Sequence, residues 1–230
     1  MIEYKKWRKM LISGMIFSFL TIVLGDMPIA WLIYPETGNK LLDIILSCDN
    51  LSVSQMACGL FFGAVFIPLQ YFGFKAVAEI ISKIGCPRCA KITELGAKAY
   101  AFNGGTVHVL CVAAMYLCKT ENVASLSQLP HSLTDFSLYL LLPFSAVFII
   151  IYLAMSIAIA IPFFKRKTIF PRWAFIFNPL TGKIVLNVLD VVAPNTKLFN
   201  GIRMGNMGVG SLMTFAAFLI MLEKYQKQLS

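Results

Sequence analysis

The residue of this sequence that most clearly indicates a chemical function is a histidine in the middle of an apolar run. Lys98 and Lys119 enclose twenty uncharged residues, and His108 lies near the centre of that run. A helix needs about twenty apolar residues to cross the hydrocarbon of a bilayer, so the imidazole is expected close to the membrane midplane. Ionisable groups at that depth usually face a bundle interior or a cavity, which makes His108 a candidate functional residue.

A carboxylate beside this histidine would favour proton transfer, because an imidazole titrates near neutrality and a neighbouring acid can orient and tune it. Asp26 lies seventeen residues beyond Lys9, which is about 25 Å along a helix. Glu36 follows in the next loop. We predict His108 as a general acid or base, with Asp26 or Glu36 as its partner.

Small and polar residues are expected to complete a cavity around these groups. A step of four residues puts Gly104 on the helical face of His108, where a glycine lets a ligand or a neighbouring backbone approach the ring. A purely structural alternative is that His108 makes an interhelical hydrogen bond and that Asp26 pairs with Arg203 or caps a broken backbone near Gly25 and Pro28. The residues expected to line the cavity are Asn103, Gly104, Gly105, Asn187, Asp190, Arg203 and Asn206.

The elements that must position these side chains are membrane-spanning helices. Hydrophobic residues make up 58% of the 230 residues and charged residues 13%, with a mean hydropathy of +0.76. This composition argues against a soluble globular domain. We predict an all-α polytopic transmembrane helix bundle of about six spans, forming a single domain over residues 1–230. The expected spans are 10–33, 54–76, 99–118, 138–164, 173–192 and 204–222.

The fifth of these spans is expected to be short or broken. Asn178-Pro179 removes a backbone donor and disfavours helical geometry in the residue before the proline. Lys183, Asn187 and Asp190 follow on one helical face. Such a break is tolerated at membrane depth only where protein or water covers the freed backbone groups. If the segment re-enters instead of crossing, the C-terminus lies on the opposite side.

The basic residues indicate topology and argue against nucleic-acid binding, despite a net charge of +9. Fourteen Lys and Arg residues lie before the first span, between the second and third, after the fourth and after the sixth, whereas four lie in the alternate loops. By the positive-inside rule, both termini are expected in the cytoplasm. The basic loops would then face anionic headgroups, which makes membrane lipids expected partners.

The six cysteines raise hypotheses that we do not favour. A zinc site at Cys86-Pro-Arg-Cys89 would need two further ligands, and only Glu94 lies at a matching spacing. A thiol oxidoreductase would place the same pair in the reducing cytoplasm without a second C-x-x-C outside. We therefore expect no metal and no cofactor. A disulfide between Cys48 and Cys118 on the outer side remains an open alternative.

Five segments spread over most of the chain form a recognisable set. They are Gly25-Asp26 with Trp31, Tyr34-Pro35-Glu36, Pro68-x-x-Tyr71-Phe72-Gly73-Phe74-Lys75, Gly104-Gly105-x-x-His108, and Pro171-x-Trp173 ahead of Asn178-Pro179-Leu180. Together these segments resemble a family of uncharacterised multi-spanning bacterial membrane proteins. The resemblance implies a bacterial cytoplasmic-membrane protein and transfers no catalytic residue.

The sequence therefore predicts a membrane protein with a polar cavity, open toward the outer leaflet, that binds a small lipophilic or amphipathic molecule and could act on it by acid/base catalysis. One alternative is a proton- or ion-coupled transporter or channel. Another is a non-catalytic accessory or immunity-type subunit. The small-residue pair Gly201 and Gly205 indicates close helix packing and self-association as a homo-oligomer.

Overall fold

In the computed structural model the chain forms a helical bundle. The structure describes residues 2–121, 123, 125, 127, 129–165 and 168–225, and no strand occurs among them. The helices along these ranges are α1 (Glu3–Ile29), α2 (Lys40–Ser47), α3 (Val53–Lys83), α4 (Pro87–Thr120), α5 (His131–Phe164), α6 (Pro179–Leu189), α7 (Lys197–Met204) and α8 (Asn206–Lys224). The predicted all-α fold is confirmed.

Five of these helices, α1, α3, α4, α5 and α8, are long and apolar enough to cross a membrane. The segment predicted as span 173–192 instead contains the short 3₁₀ turn Arg172–Ile176 followed by α6. The eleven residues of α6 extend about 16 Å, roughly half of a bilayer's hydrocarbon thickness. Asn178 caps α6, where its side chain accepts a hydrogen bond from the backbone N–H of Leu180 at 3.0 Å. The count of six spans therefore stays a prediction.

Helix α4 begins twelve residues before the predicted span, at Pro87. The added residues mix polar and apolar side chains, and among them Glu94 and Lys98 form a 2.8 Å ion pair one helical turn apart, a spacing that stabilises exposed helix surface. Hydropathy identifies only the apolar part of a helix. The predicted span 99–118 therefore lies within α4, whereas its amphipathic extension over 87–98 was not predicted.

Ion pairs identify the two ends of the bundle. At one end, Arg8 contacts Glu223 at 3.3 Å and Lys83 contacts Glu3 at 3.6 Å. Three helix ends therefore lie together: the beginning of α1 and the C-terminal ends of α3 and α8. We call this side of the bundle the terminal end. Both the first and the last described helices thus have their outer ends on the same side of the bundle.

The opposite end, which we call the loop end, is held by two other contacts. The Lys119 ammonium donates to the backbone carbonyl of Asp49 at 2.7 Å. The Asp190 carboxylate binds both Lys40 and Arg203, the latter at 2.7 Å. These contacts join α2, α4, the finish of α6 and α7.

The helices form a closed ring. Helix α1 packs between α8 and α3, α4 packs between α3 and α5, and α6 packs between α5 and α8. An aromatic cluster that includes Phe74, Phe215 and Phe218 fills the ring toward the terminal end. A second apolar cluster, around Ile29 and Met115, lies toward the loop end. The candidate site lies between these two clusters.

Candidate functional site

His108 and Asp26 are neighbours in the interior of the bundle. Nδ1 of His108 lies 3.5 Å from Oδ1 of Asp26, and the two side chains are only 8% and 12% exposed. The other ring nitrogen, Nε2, is 2.9 Å from the backbone carbonyl oxygen of Gly59. Because a carbonyl oxygen only accepts hydrogen bonds, Nε2 must carry a proton and Nδ1 is the nitrogen that faces the carboxyl group.

In this geometry the two side chains can share one exchangeable proton. With the proton on Nδ1 the pair is an imidazolium beside a carboxylate, and with the proton on Asp26 both groups are neutral. Without it, the Nδ1 lone pair would face an ionised carboxylate in a low-dielectric interior, which is repulsive. The 3.5 Å separation exceeds ordinary hydrogen-bond length, so the two groups lie within ion-pair distance but do not form an ordinary hydrogen bond.

A π-helical turn positions Asp26. Within α1, residues Thr21–Asp26 are π-helical, and the N–H of Met27 bonds back to the carbonyl of Ile22. Pro28 follows, and it cannot donate a backbone hydrogen bond. Such wide turns are rare in helices and are frequent at functional sites. The turn changes which residues of α1 face the interior and leaves Asp26 buried beside His108.

Glycines on α3 make room for the imidazole. A Cβ atom added to Gly63 would overlap the His108 ring, so the ring packs directly against the α3 backbone. A Cβ on Gly25 would come within 3.1 Å of the Gly63 Cα, so α1 also approaches α3 closely. Gly59 supplies the carbonyl that binds Nε2. Gly59 and Gly63 were not among the residues predicted for the site, although Gly59-x-x-x-Gly63 in an apolar run is a recognisable close-packing motif.

The pair lines a cavity of about 280 Å³ inside the ring of helices. Of the predicted residues, Gly104 and Asn206 also line it. The Asn206 amide nitrogen donates to the Arg203 carbonyl at 2.8 Å, and its Oδ1 is buried without a hydrogen-bond partner among the described residues. Further polar residues that the prediction did not assign to the cavity are Thr21, Tyr100, Ser145 and Lys183.

A buried hydrogen-bond chain closes this cavity toward the terminal end. The Tyr100 hydroxyl donates to Gln70 Oε1 at 3.3 Å, and Gln70 Nε2 donates to the Thr21 hydroxyl at 3.0 Å. Gln70 is fully buried. Tyr100 precedes Gly104 and His108 by steps of four residues, so helical periodicity alone could have placed it on the same wall.

An apolar chamber of about 620 Å³ adjoins the polar cavity and lies among α2, α4, α5 and α7. The two spaces share the wall residues Ile29, Cys111, Ser145 and Met204. Ile29 lies three residues after Asp26 and Cys111 three residues after His108. The His108–Asp26 pair therefore lies near the junction of a polar space and an apolar one.

The chamber opens on the surface of α5. Leu138 and Leu142 line it and are each more than half exposed. A second π-helical turn, Ser137–Leu141, forms this part of the wall. Because α5 is one of the five candidate spans, the opening faces the region that lipid would occupy.

Three of the predicted residues lie in a different place. Glu36, Asp190 and Arg203 line a separate cavity of about 370 Å³ at the loop end. Glu36 is exposed and accepts from the Asn195 amide at 3.3 Å. Arg203 pairs with Asp190, as described above, and lies over the Tyr34 ring with 5.0 Å between its Cζ and the ring centroid. Of the two acids considered as partners of His108, Asp26 is therefore the one in contact with it.

The remaining predicted residues have packing contacts. The Asn103 amide donates to the Phe144 carbonyl at 2.9 Å, which ties α4 to α5. A Cβ on Gly105 would lie 3.3 Å from Pro68 Cγ, so this glycine sits at the α3–α4 contact. Asn187 is exposed on α6 and lines none of the three cavities described.

The cysteines are all free thiols. Cys48 is fully buried at the loop end, where its thiol donates to the Ile44 carbonyl at 3.3 Å. Its hydrogen-bonding neighbour Cys118 and its burial raise the pKa of Cys48 above its usual range. Within the described ranges, no group of three or more His, Cys, Asp or Glu side chains could hold a metal ion.

The fold and the site define the class of protein. Five helices that are long and apolar enough to span a membrane indicate a multi-pass membrane protein, and in its interior His108 and Asp26 lie within ion-pair distance of each other. The chain belongs to a family of unknown function (DUF6796), whose model matches residues 1–225. The predicted membership of an uncharacterised family is confirmed. No curated protein and no solved structure matches the chain.

Proposed function

We propose that this protein binds a small lipophilic or amphipathic molecule within the membrane and carries out acid/base chemistry on it. The observation that carries the proposal is the position of the His108–Asp26 pair beside the wall shared by the polar cavity and the apolar chamber. Ligand sites are typically clefts of about 300–1,000 Å³ that are mostly apolar, with a few converging polar groups. The two joined spaces fit that description.

The pair supports proton transfer to or from the polar part of such a molecule. A ligand whose apolar part occupies the chamber would bring its polar part to the junction, next to Ile29 and Cys111. There the Nδ1 side of His108 and the Asp26 carboxyl can exchange their one proton with it. Gly59 holds Nε2 protonated throughout, so the ring keeps one orientation while Nδ1 reacts.

Entry from the bilayer is favoured over entry from water. The chamber opens beside Leu138 and Leu142 of α5, so an apolar molecule can move into it without crossing an aqueous phase. Membrane lipids or molecules dissolved among them are the partners expected from this arrangement. We place the protein in the bacterial cytoplasmic membrane with the terminal end on the cytoplasmic side, because most of the basic residues in the described part of the chain flank that end.

Proton-coupled transport is a second candidate, and the helix breaks favour it. Transporters commonly build their sites from discontinuous helices near the bilayer midplane. The π-turn of α1 carries Asp26 into the polar cavity, and the interrupted segment before α6 carries Lys183 to it. A transporter would use the same proton pair to couple substrate movement to a proton gradient.

The test is native mass spectrometry with lipidomics on the purified full chain. Wild type is compared with Asp26→Asn, with the double variant Asp26→Asn, His108→Ala, and with Glu36→Gln as the matched acidic control. We expect a defined molecule to copurify with wild type and Glu36→Gln and to be lost from the double variant. Chemical conversion of that molecule by wild type but not by Asp26→Asn would assign the acid/base role.

Other outcomes separate the candidates. Proton movement in proteoliposomes that stops in Asp26→Asn, with the copurified molecule unchanged, would favour the transporter. No molecule bound by any folded form, and no proton movement, would overturn both and leave the accessory or immunity-type subunit. The self-association expected from the small-residue motif is checked in the same spectra, which report the mass of each assembly.

A further inference from the structure

The polar cavity contains a positive charge without a partner. Its described wall includes one lysine, Lys183, in addition to the Asp26–His108 pair. With its shared proton, that pair has no net charge. Lys183 is half-buried and forms no ion pair or side-chain hydrogen bond with any residue that the structure describes. A cation held away from bulk water is costly unless an anion compensates it.

The fold holds Lys183 at this wall by a close helix contact. The preceding residue, Gly182, packs against Gly210 of α8 so tightly that a Cβ would overlap the Gly210 backbone. The Tyr152 hydroxyl donates to the Pro179 carbonyl and ties the first turn of α6 to α5. The position of the lysine is therefore set by backbone packing of α6 and not by a side-chain partner.

The surrounding charges are satisfied elsewhere. The nearest acidic residue along the chain, Asp190, already binds Lys40 and Arg203 at the loop end. Asp26 faces His108. In addition, the first turn of α8 lines the same cavity with Met207 and Gly208, and the beginning of a helix carries a partial positive charge. The electrostatic field in the cavity thus favours an anion.

We propose that the cavity selects amphiphiles with an anionic head group, a phosphate or a carboxylate, which binds at Lys183 while the alkyl tail occupies the apolar chamber. This inference rests on the proposed function and names the charge of its ligand. A cationic head would be repelled by the lysine. A neutral head would leave the lysine unpaired.

The experiment measures the binding of three amphiphiles with the same tail to the full chain in nanodiscs of zwitterionic lipid. Dodecyl phosphate and dodecanoate carry the two anionic heads, and dodecanol is the neutral control. We expect both anions, or one of them, to bind at least about tenfold more tightly than dodecanol. The reason is that a hydrogen bond between charged groups in a partly buried site contributes enough free energy for such a ratio. The stronger of the two identifies the head group.

Variants then assign the preference to its residue. Lys183→Gln is expected to remove the preference for anions and leave dodecanol binding unchanged, whereas Lys183→Arg keeps the charge and the preference. Lys98→Gln is the matched control, because this exposed lysine pairs with Glu94 and does not line the cavity. Equal binding of all three amphiphiles to wild type, or a preference that survives Lys183→Gln, would overturn the inference, and the wild-type comparison decides even if Lys183→Gln does not fold.

A chamber variant distinguishes failure of the inference from failure of the proposed function. Ala114 lines the apolar chamber on α4, so Ala114→Phe should fill part of it and weaken all three amphiphiles together. Binding that lacks charge preference but is weakened by Ala114→Phe would reject the anionic head group alone. Binding that is insensitive to Ala114→Phe, or no binding at all, would reject the proposed function as well.

Discussion

The His108 imidazole is held by backbone on one side and by a carboxyl group on the other. Gly63 and the Gly59 carbonyl fix the ring position and its Nε2 proton, and Asp26 faces Nδ1. Hydrogen bonding of one ring nitrogen determines which nitrogen is available for chemistry. Two predictions follow from this arrangement of single residues.

Substitution Gly63→Ala should displace the ring. The added methyl group would overlap the imidazole, and overpacking of this kind costs about 1–3 kcal/mol. Thermal unfolding of the purified protein measures the loss, and copurified ligand should decrease with it. Gly105→Ala is the comparison variant, because its Cβ would come no closer than 3.3 Å to a neighbouring atom, Pro68 Cγ, so its loss of stability should be smaller than that of Gly63→Ala. Equal stability of the two variants would contradict the packing described for His108.

The protonation of His108 can be observed directly, because the chain contains only one other histidine, His131. In ¹⁵N-histidine NMR spectra of the His131→Gln background, Nε2 of His108 should be protonated. The Nδ1 signal should shift in Asp26→Asn, since the amide can donate a hydrogen bond but cannot release a proton at neutral pH. Glu36→Gln should leave it unchanged. An unprotonated Nε2 would contradict the bond to Gly59.

Elements, and not single side chains, determine how the apolar chamber is covered. Helix α2 forms its roof at the loop end through Leu41, Ile44 and Ile45. The helix has eight residues, too few for an isolated helix to be stable in water. Its attachment therefore depends on contacts with the rest of the bundle, and the Lys40–Asp190 ion pair is the charged one.

Substitution Asp190→Asn should loosen this roof. The Asp190 side chain is 13% exposed and joins α2 to α7 through Lys40 and Arg203. The Lys40 pair is the one that holds α2, and because the Lys40 side chain is 72% exposed, this pair contributes at most about 1 kcal/mol. Amide hydrogen exchange in residues 40–47, measured by mass spectrometry, should therefore become about two- to fivefold faster.

The control for this prediction is Lys98→Gln, which removes an exposed i,i+4 pair with Glu94. Such pairs contribute only a few tenths of a kcal/mol, so exchange in α2 should not change. Unchanged exchange in Asp190→Asn would mean that apolar contacts alone hold α2 in place.

The helical elements were accessible from the sequence, and the site was accessible only in part. Apolar runs of about twenty residues identify spans because the bilayer fixes that length, and Asn178-Pro179 correctly marked a break. The placement of Asp26 beside His108 depends on a π-turn, which has no reliable sequence signature. From the sequence, Glu36 and Asp26 were equally suitable partners for His108, and only the fold shows that Asp26 contacts it while Glu36 lines the loop-end cavity. The chamber under α2 is a product of packing among four helices, and no local pattern could indicate it.

At the scale of the whole molecule, the structure constrains topology more strongly than the charge bias does. Arg8 and Glu223 are in contact, so the outer ends of α1 and α8 are on one side, whether or not the segment with α6 counts as a span. Those of the fourteen basic residues predicted to be cytoplasmic that the structure describes flank this terminal end, and the four assigned to the alternate loops lie toward the loop end. Charge and connectivity therefore agree on one orientation.

A reporter enzyme that is active only after export tests that orientation. Fused to the C-terminus, it should stay inactive, since the terminal end is expected in the cytoplasm. Inserted at Gly38, it should become active, because this exposed loop residue between α1 and α2 has open space around it and tolerates an insertion. An active C-terminal fusion together with an active Gly38 insertion would place the outer ends of α1 and α8 on opposite sides of the membrane. That result is incompatible with the Arg8–Glu223 contact, and it would require the segment of α6 to re-enter instead of connecting the two ends.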